Sequence, residues 1–314
     1  MSQFLHHLEL AAPLFLLVFV GYLLAASGRF PRTVSEGLAK FAFTVAVPAL
    51  LFRLMSDLSS LPPVDTRLLF AFFGGCLIVF VIGRLLAASL FRLDGVSQSV
   101  FALGGVFSNN VLLGVPIAKA TLGDAALPAV ALVLVFNALT LWTLVTISVE
   151  WARHGDLSMK GFGKTVKNVL TNPVVAGILS GTAWGLTGWQ LPNVVAEPLQ
   201  LMAQSATPLA LIVVGMGLAE YGLGKRWREG VAITVIKLVI QPLVVWGLAR
   251  LLGLPPIETQ AVVLLASLAV GVNVYLMARE FDVMQGPVAS SLVLSTALAA
   301  LTVPLVLTLL GAAG

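Results

Sequence analysis

Ten apolar runs, each long enough to cross a bilayer as a helix, follow one another along the 314-residue chain. A membrane span needs about 20 mainly apolar residues, and without water every backbone amide and carbonyl must find its partner inside the protein. Bounded by Gly, Pro and charges, the runs lie at about 8–27, 38–56, 68–91, 98–121, 127–151, 173–189, 198–219, 230–252, 259–280 and 287–311. Ten spans of roughly 22 residues take about 220 residues, which leaves no room for a separate soluble domain. Apolar residues make up 59% of the chain and charged ones only 10%, against roughly 25% charged in a soluble domain. The expectation is a single polytopic all-α membrane protein. An ATP-hydrolysing half, a large ectodomain and most soluble enzymes are excluded.

Charge placement gives an orientation. Basic residues collect in cytoplasmic loops, which accounts for the net charge of +4 without a nucleic-acid partner. With the N-terminus outside, 12 of the 18 Lys and Arg fall on the inner side and 4 on the outer. Arg84 and Lys237 lie within spans. The prediction is a multi-pass protein of the cytoplasmic membrane with both termini outside. Residues 152–172, which carry Lys160, Lys164 and Lys167, then form a cytoplasmic connector, short enough to lie on the membrane surface. The first run leads directly into further spans, so it reads as a retained helix. The lone Cys76 sits in an apolar run and reads as an inert helix residue.

The two halves look related. Pro48 and Pro208 are 160 residues apart, and Asn110 and Asn273 are 163 apart. Both offsets lay the first span on the sixth. Residues 1–151 and 173–314 then hold five spans each, and an odd number makes the second half enter from the opposite side. That is an inverted repeat, an arrangement of many secondary transporters.

The stretch GGVFSNNVLLGVPIAKATLG, Gly104 to Gly123, is the most informative. Pro116 lacks an amide hydrogen and disfavours helix at Val115. Asn109 and Asn110 are costly at mid-membrane without partners. Two readings fit: a broken helix at a substrate cavity, or a kinked helix using Asn to bond its neighbours. The ninth span repeats the pattern around Gly271 and Asn273. Gly105, Pro116, Gly271, Pro48 and Pro208 are the candidate hinge and crossover positions. Asn137, alone among apolar residues, either faces the cavity or bonds a neighbouring helix. Lys237, about seven residues into the eighth span, either snorkels, pairs inside the bundle, or attracts a carboxylate.

All 14 acidic residues map to loops or span ends, so the mid-membrane carboxylate pair of a simple cation antiporter is missing. No phosphate-binding loop, metal-ligand spacing or nucleophile elbow is present. Neither an enzyme nor a resident cofactor or metal is expected.

SNNVLLGVPIA, VNVYLMAREFDV and IKLVIQPLVV, with VGYLLAASGRF and TVAVPALLF, together resemble the auxin efflux carrier family in its bacterial branch, and the resemblance covers nearly the whole chain. It implies ten helices in two inverted five-helix repeats, with broken fourth and ninth helices crossing at a binding site. It implies a scaffold part and a transport part, alternating access, organic-anion substrates such as malonate, and a homodimer through the scaffold helices. Carried over, Asn109, Asn110 and Asn273 lie at the crossover and Asn137 faces it. Many relatives have a Pro shortly before the ninth-span Asn, whereas Leu268 to Val272 contain none. That departure implies a less sharply broken ninth helix.

The resulting expectation is a secondary transporter of a small mono- or dicarboxylate, with Asn109, Asn110, Asn137, Asn273 and Lys237 at its site. The alternatives are a sodium-coupled carrier of the bile-acid type, using Asn, Ser, Thr and carbonyl oxygens for the ion, and a channel or membrane sensor.

Overall fold

The computed structural model describes residues 2–56, 65–154, 173–221 and 226–313. The predicted connector falls mostly in 155–172, outside the described residues, and so do Lys160, Lys164 and Lys167. Among the described residues there are twelve helices, besides a single 3-10 turn at Asp124–Ala126, and no strand. They are α1 (Ser2–Ala26), α2 (Arg32–Ser56), α3 (Arg67–Leu90), α4 (Gly95–Gly104), α5 (Asn110–Leu122), α6 (Leu127–His154), α7 (Pro173–Leu186), α8 (Asn193–Tyr221), α9 (Trp227–Leu251), α10 (Pro256–Ser267), α11 (Val272–Glu280) and α12 (Gln285–Ala313). Seven of them are long and apolar enough to cross a membrane.

Helix ends follow local chemistry. Asp94 caps α4, its carboxylate accepting hydrogen bonds from the amides of Val96 and Ser97 and from the Ser97 hydroxyl. The Ser97 bonds hold the Asp94 carboxyl below the usual carboxylate range. Helix α2 starts at Arg32 rather than near 38, and an exposed Arg32–Glu36 pair at 2.9 Å lies along its first polar turn.

The helices form two packed groups. In one, α1 runs along α8 and α2 along α7. In the other, α3, α4, α6, α9, α10 and α12 pack together. The first group depends on backbones in direct contact. A Cβ on Gly181 would lie 2.5 Å from the Phe52 carbonyl oxygen, and one on Gly21 would collide with the Ile212 carbonyl. Residues 21 and 181 are 160 apart, and so are 52 and 212. The same contact therefore occurs twice, at the spacing of Pro48 and Pro208.

Pro116, expected to break the fourth span, does not interrupt its helix. Pro48, Pro116 and Pro242 each follow a five-residue π-helical turn, Ala42–Ala46, Asn110–Gly114 and Ile236–Ile240. The wider turn takes up the missing amide bond and the ring's clash with the preceding turn. Val115 is fully helical at φ −60°, ψ −51°. The fourth-span break sits instead between α4 and α5, at residues 105–109. Pro208 lies within the continuous α8.

Candidate functional site

The site begins where two helices stop. After α4 the chain leaves helical geometry, and Asn109 has φ −77°, ψ 60°. After α10, Leu268 and Gly271 are extended, with ψ near 162° and 142°. The two interruptions pair with each other as a short antiparallel bridge between Ser108 and Val270. The Asn109 amide donates to the Ala269 carbonyl at 2.9 Å, and the Gly271 amide donates to the Phe107 carbonyl at 2.8 Å. Backbone groups freed by one break are thus satisfied by the other.

Gly271 makes this approach possible. A Cβ there would lie 3.0 Å from both the Ser108 oxygen and a Phe107 ring carbon. Span nine is consequently broken as cleanly as span four without a proline, contrary to the expectation from Leu268–Val272. Gly105 ends α4 against Ile236, where a Cβ would come within 2.6 Å of the isoleucine methyl.

Beside the bridge lies a cavity of about 290 Å³. Asn109, Asn110, Asn137, Gly271 and Asn273 all line it. Helix α5 begins at Asn110 and α11 at Val272, so two helix N-termini border one space. The first amides of a helix lack intrahelical partners and carry the positive end of the helix dipole. The Asn110 Nδ2 donates to Asn137 Oδ1 at 3.4 Å. Asn137 therefore both faces the cavity and bonds a neighbour. Asn110 Oδ1 and Ser108 Oγ are buried without a hydrogen-bond partner. Among the described residues, no Asp, Glu, Lys or Arg lines the cavity. It offers amide hydrogens and neutral oxygens within an otherwise apolar wall.

Sequence reasoning missed several participants. Phe43 and Thr44 from α2 and Val174 and Val175 from α7 close the far wall, so the site lies between the two helix groups. Nothing in the sequence pairs those residues with the Asn cluster. Ser295 on α12 supports the bridge by accepting from the Val270 amide at 3.0 Å.

Lys237 is placed elsewhere. It lines no part of the cavity, and its side chain neither snorkels outward nor pairs with a carboxylate. It is 0% exposed, and its ammonium donates to the Ala266 carbonyl at the end of α10. Gln241, one turn on, donates to the Val106 carbonyl at 2.9 Å. The hinge candidates Pro48, Pro116 and Pro208 also stand outside the lining. Arg84, the other basic residue within a span, donates to Ser148 on α6 at 2.7 Å.

Comparison with known proteins gives consistent matches. The family described as membrane transport protein matches residues 6–307. A protein of Rhizobium meliloti (strain 1021) named "Putative malonate transporter" is 28% identical over 297 residues, covering 94% of this chain and 92% of that one. A protein of Methanothermobacter thermautotrophicus named "Uncharacterized transporter" is 24% identical over 314 residues, covering 96% and 98%.

Proposed function

The chain belongs to the membrane transport protein family, the auxin efflux carrier family that its motifs resemble, and from that premise we propose that it carries a small organic anion across the membrane by alternating access. It is a transporter and not an enzyme. The observation that carries the substrate class is the cavity: two helix N-termini and four Asn side chains converge there, and among the described residues that line it no acidic group opposes an anion. Helix N-termini bind carboxylates and phosphates through free amides and the dipole. A volume of about 290 Å³ sits at the lower edge of the roughly 300–1,000 Å³ of ligand sites. A mono- or dicarboxylate of malonate size suits it, in keeping with the name of the Rhizobium relative.

In this reading the ten spans form two inverted five-helix repeats, with α4–α5 as span four and α10–α11 as span nine. The repeated Gly–carbonyl contact at a 160-residue spacing supports that. The group of α1, α2, α7 and α8 is the scaffold, through which two copies would pair. The other group moves against it. The cavity between them holds the carboxylate with Asn109, Asn110, Asn137, Asn273 and the first amides of α5 and α11. The protein lies in the cytoplasmic membrane with both termini outside, and the Pro173 side of the cavity faces the cytoplasm.

Uptake of radiolabelled malonate into vesicles holding the purified protein tests this. A hydrogen bond to a charged group contributes about 1.5–3 kcal/mol, so Asn110→Ala and Asn273→Ala should each weaken transport roughly tenfold or more. Wild-type rates in both variants would remove the site assignment. Running the assay with and without a sodium gradient separates this carrier from a sodium-coupled one.

A further inference from the structure

Lys237 is a fully buried amine that the binding site does not use. Among the described residues its ammonium has one hydrogen-bond partner, the Ala266 carbonyl. That carbonyl is at the C-terminal, negative end of α10, five residues before the cavity-lining Gly271. No carboxylate is set against it. The π-helical turn that carries Lys237 packs on α3, α10 and α12, and α9 also packs on α4. Helices α4 and α12 contain no charged residue. On α3 the titratable neighbour is the buried Cys76 thiol, which accepts from Gln241 Nε2 at 3.5 Å. Arg84 on α3 is eight residues from Cys76, Glu258 on α10 is eight from Ala266, and Glu229 on α9 itself is eight from Lys237. Eight residues of helix are about 12 Å. Gln241 Oε1, one turn from Lys237, is buried without a partner.

Burying a lone ammonium is expensive, and moving one through a bilayer with the transport group is more so. A bound carboxylate, which meets no charged side chain among the described residues that line the cavity, offsets that cost. We propose that Lys237 is the proton-carrying group of the transporter, charged while an anion is bound and neutral while the cavity is empty, so that the chain is a proton–carboxylate symporter. This rests on the transport reading above.

The proton balance is simple. On the side where the anion enters, Lys237 Nζ takes one proton from water. With a monoanion the loaded transport group then crosses with one negative and one positive charge, and with doubly ionised malonate it crosses with one net negative charge. On the far side the anion leaves, Nζ returns its proton to water, and the empty group crosses back uncharged. Both crossing states are close to electroneutral for a monoanion. Linkage is reciprocal, because an anion that favours the ammonium is itself bound more tightly by it.

The test uses the intact protein in vesicles, with labelled malonate as probe and an internal pH dye. Wild type should show malonate uptake that brings protons with it, together with exchange of internal for external malonate. Lys237→Arg keeps a permanent charge, so the loaded carrier still crosses and the empty one does not. Exchange should persist while net uptake falls at least tenfold, and persistent exchange shows that the variant is folded. Lys237→Gln should move about one proton fewer per malonate. Net uptake by Lys237→Arg at the wild-type rate, or unaltered proton movement with Lys237→Gln, would overturn the proposal. If Lys237→Arg loses exchange as well, the reading of Lys237 as a carrier of protons is also rejected, since a fixed charge should leave the loaded step intact. Wild-type malonate flux without protons defeats this inference alone, whereas no saturable flux of any carboxylate defeats the transport reading.

Discussion

At the scale of single residues, the structure separates side chains that line the cavity from those that hold the two paired helix breaks together. Gln241 belongs to the second kind. Its amide is the partner of Val106, a carbonyl that the broken helix leaves open. Gln241→Leu strands that carbonyl in a buried place, and a stranded buried group costs about 1–3 kcal/mol. The variant should melt earlier in detergent, with its malonate affinity affected less than in Asn110→Ala. Asp94 is a plainer case. Asp94→Ala removes an N-cap worth about 1 kcal/mol. Its carboxyl is held below its ordinary value in the folded chain. Its contribution is therefore present above the unfolded value and lost as pH falls through the folded one. Asp94→Asn should flatten that part of the acid-side decline, as read from melting temperature against pH.

Among the helices, two devices recur. Proline is accommodated by a π-helical turn ending two residues earlier, at Pro48, Pro116 and Pro242. The helices then bend their bonding rather than break, and the real breaks lie where two extended segments can pair with each other. Close helix contact is the second device. Where α1 meets α8 and α2 meets α7, a glycine faces a neighbouring carbonyl with no space for a Cβ. Gly21→Val and Gly181→Val should each overpack their interface, at about 1–3 kcal/mol. Gly37, around which a Cβ would meet nothing, makes the control: Gly37→Ala should leave the melting temperature near wild type.

For the whole molecule, the prediction is a topology. Ser27 follows α1 and Thr187 follows α7, both exposed. With both termini outside, Ser27 is cytoplasmic and Thr187 is external. The native Cys76 is buried and should not react. Ser27→Cys should therefore resist an impermeant thiol reagent added to intact cells, and Thr187→Cys should be labelled. The opposite pattern would reverse the orientation and with it the side to which the cavity opens. The contact of Arg153, at the end of α6, with the Phe281 ring after α11, 5.5 Å from its centre, puts those two ends on one side.

Much of this was legible in the amino-acid sequence because a bilayer is a demanding solvent. It enforces long apolar runs, confines charge to the ends, and makes each interior Asn conspicuous, so the spans and the Asn109, Asn110 and Asn273 cluster could be read directly. Spacing also carried the proposed relation of the halves, since Pro48 and Pro208 have the same offset as the Gly21 and Gly181 contacts. The remainder depended on which distant segments meet. Pro116 looked like the break, but a proline's effect depends on whether its helix can widen, and here it does. Lys237 looked like a substrate ligand, but a side chain's partner is set by packing, and α9 delivers it to a carbonyl on α10. The cavity wall from α2 and α7 carried no sequence signal, because apolar residues look alike until the fold decides which of them face the lipid and which face the site.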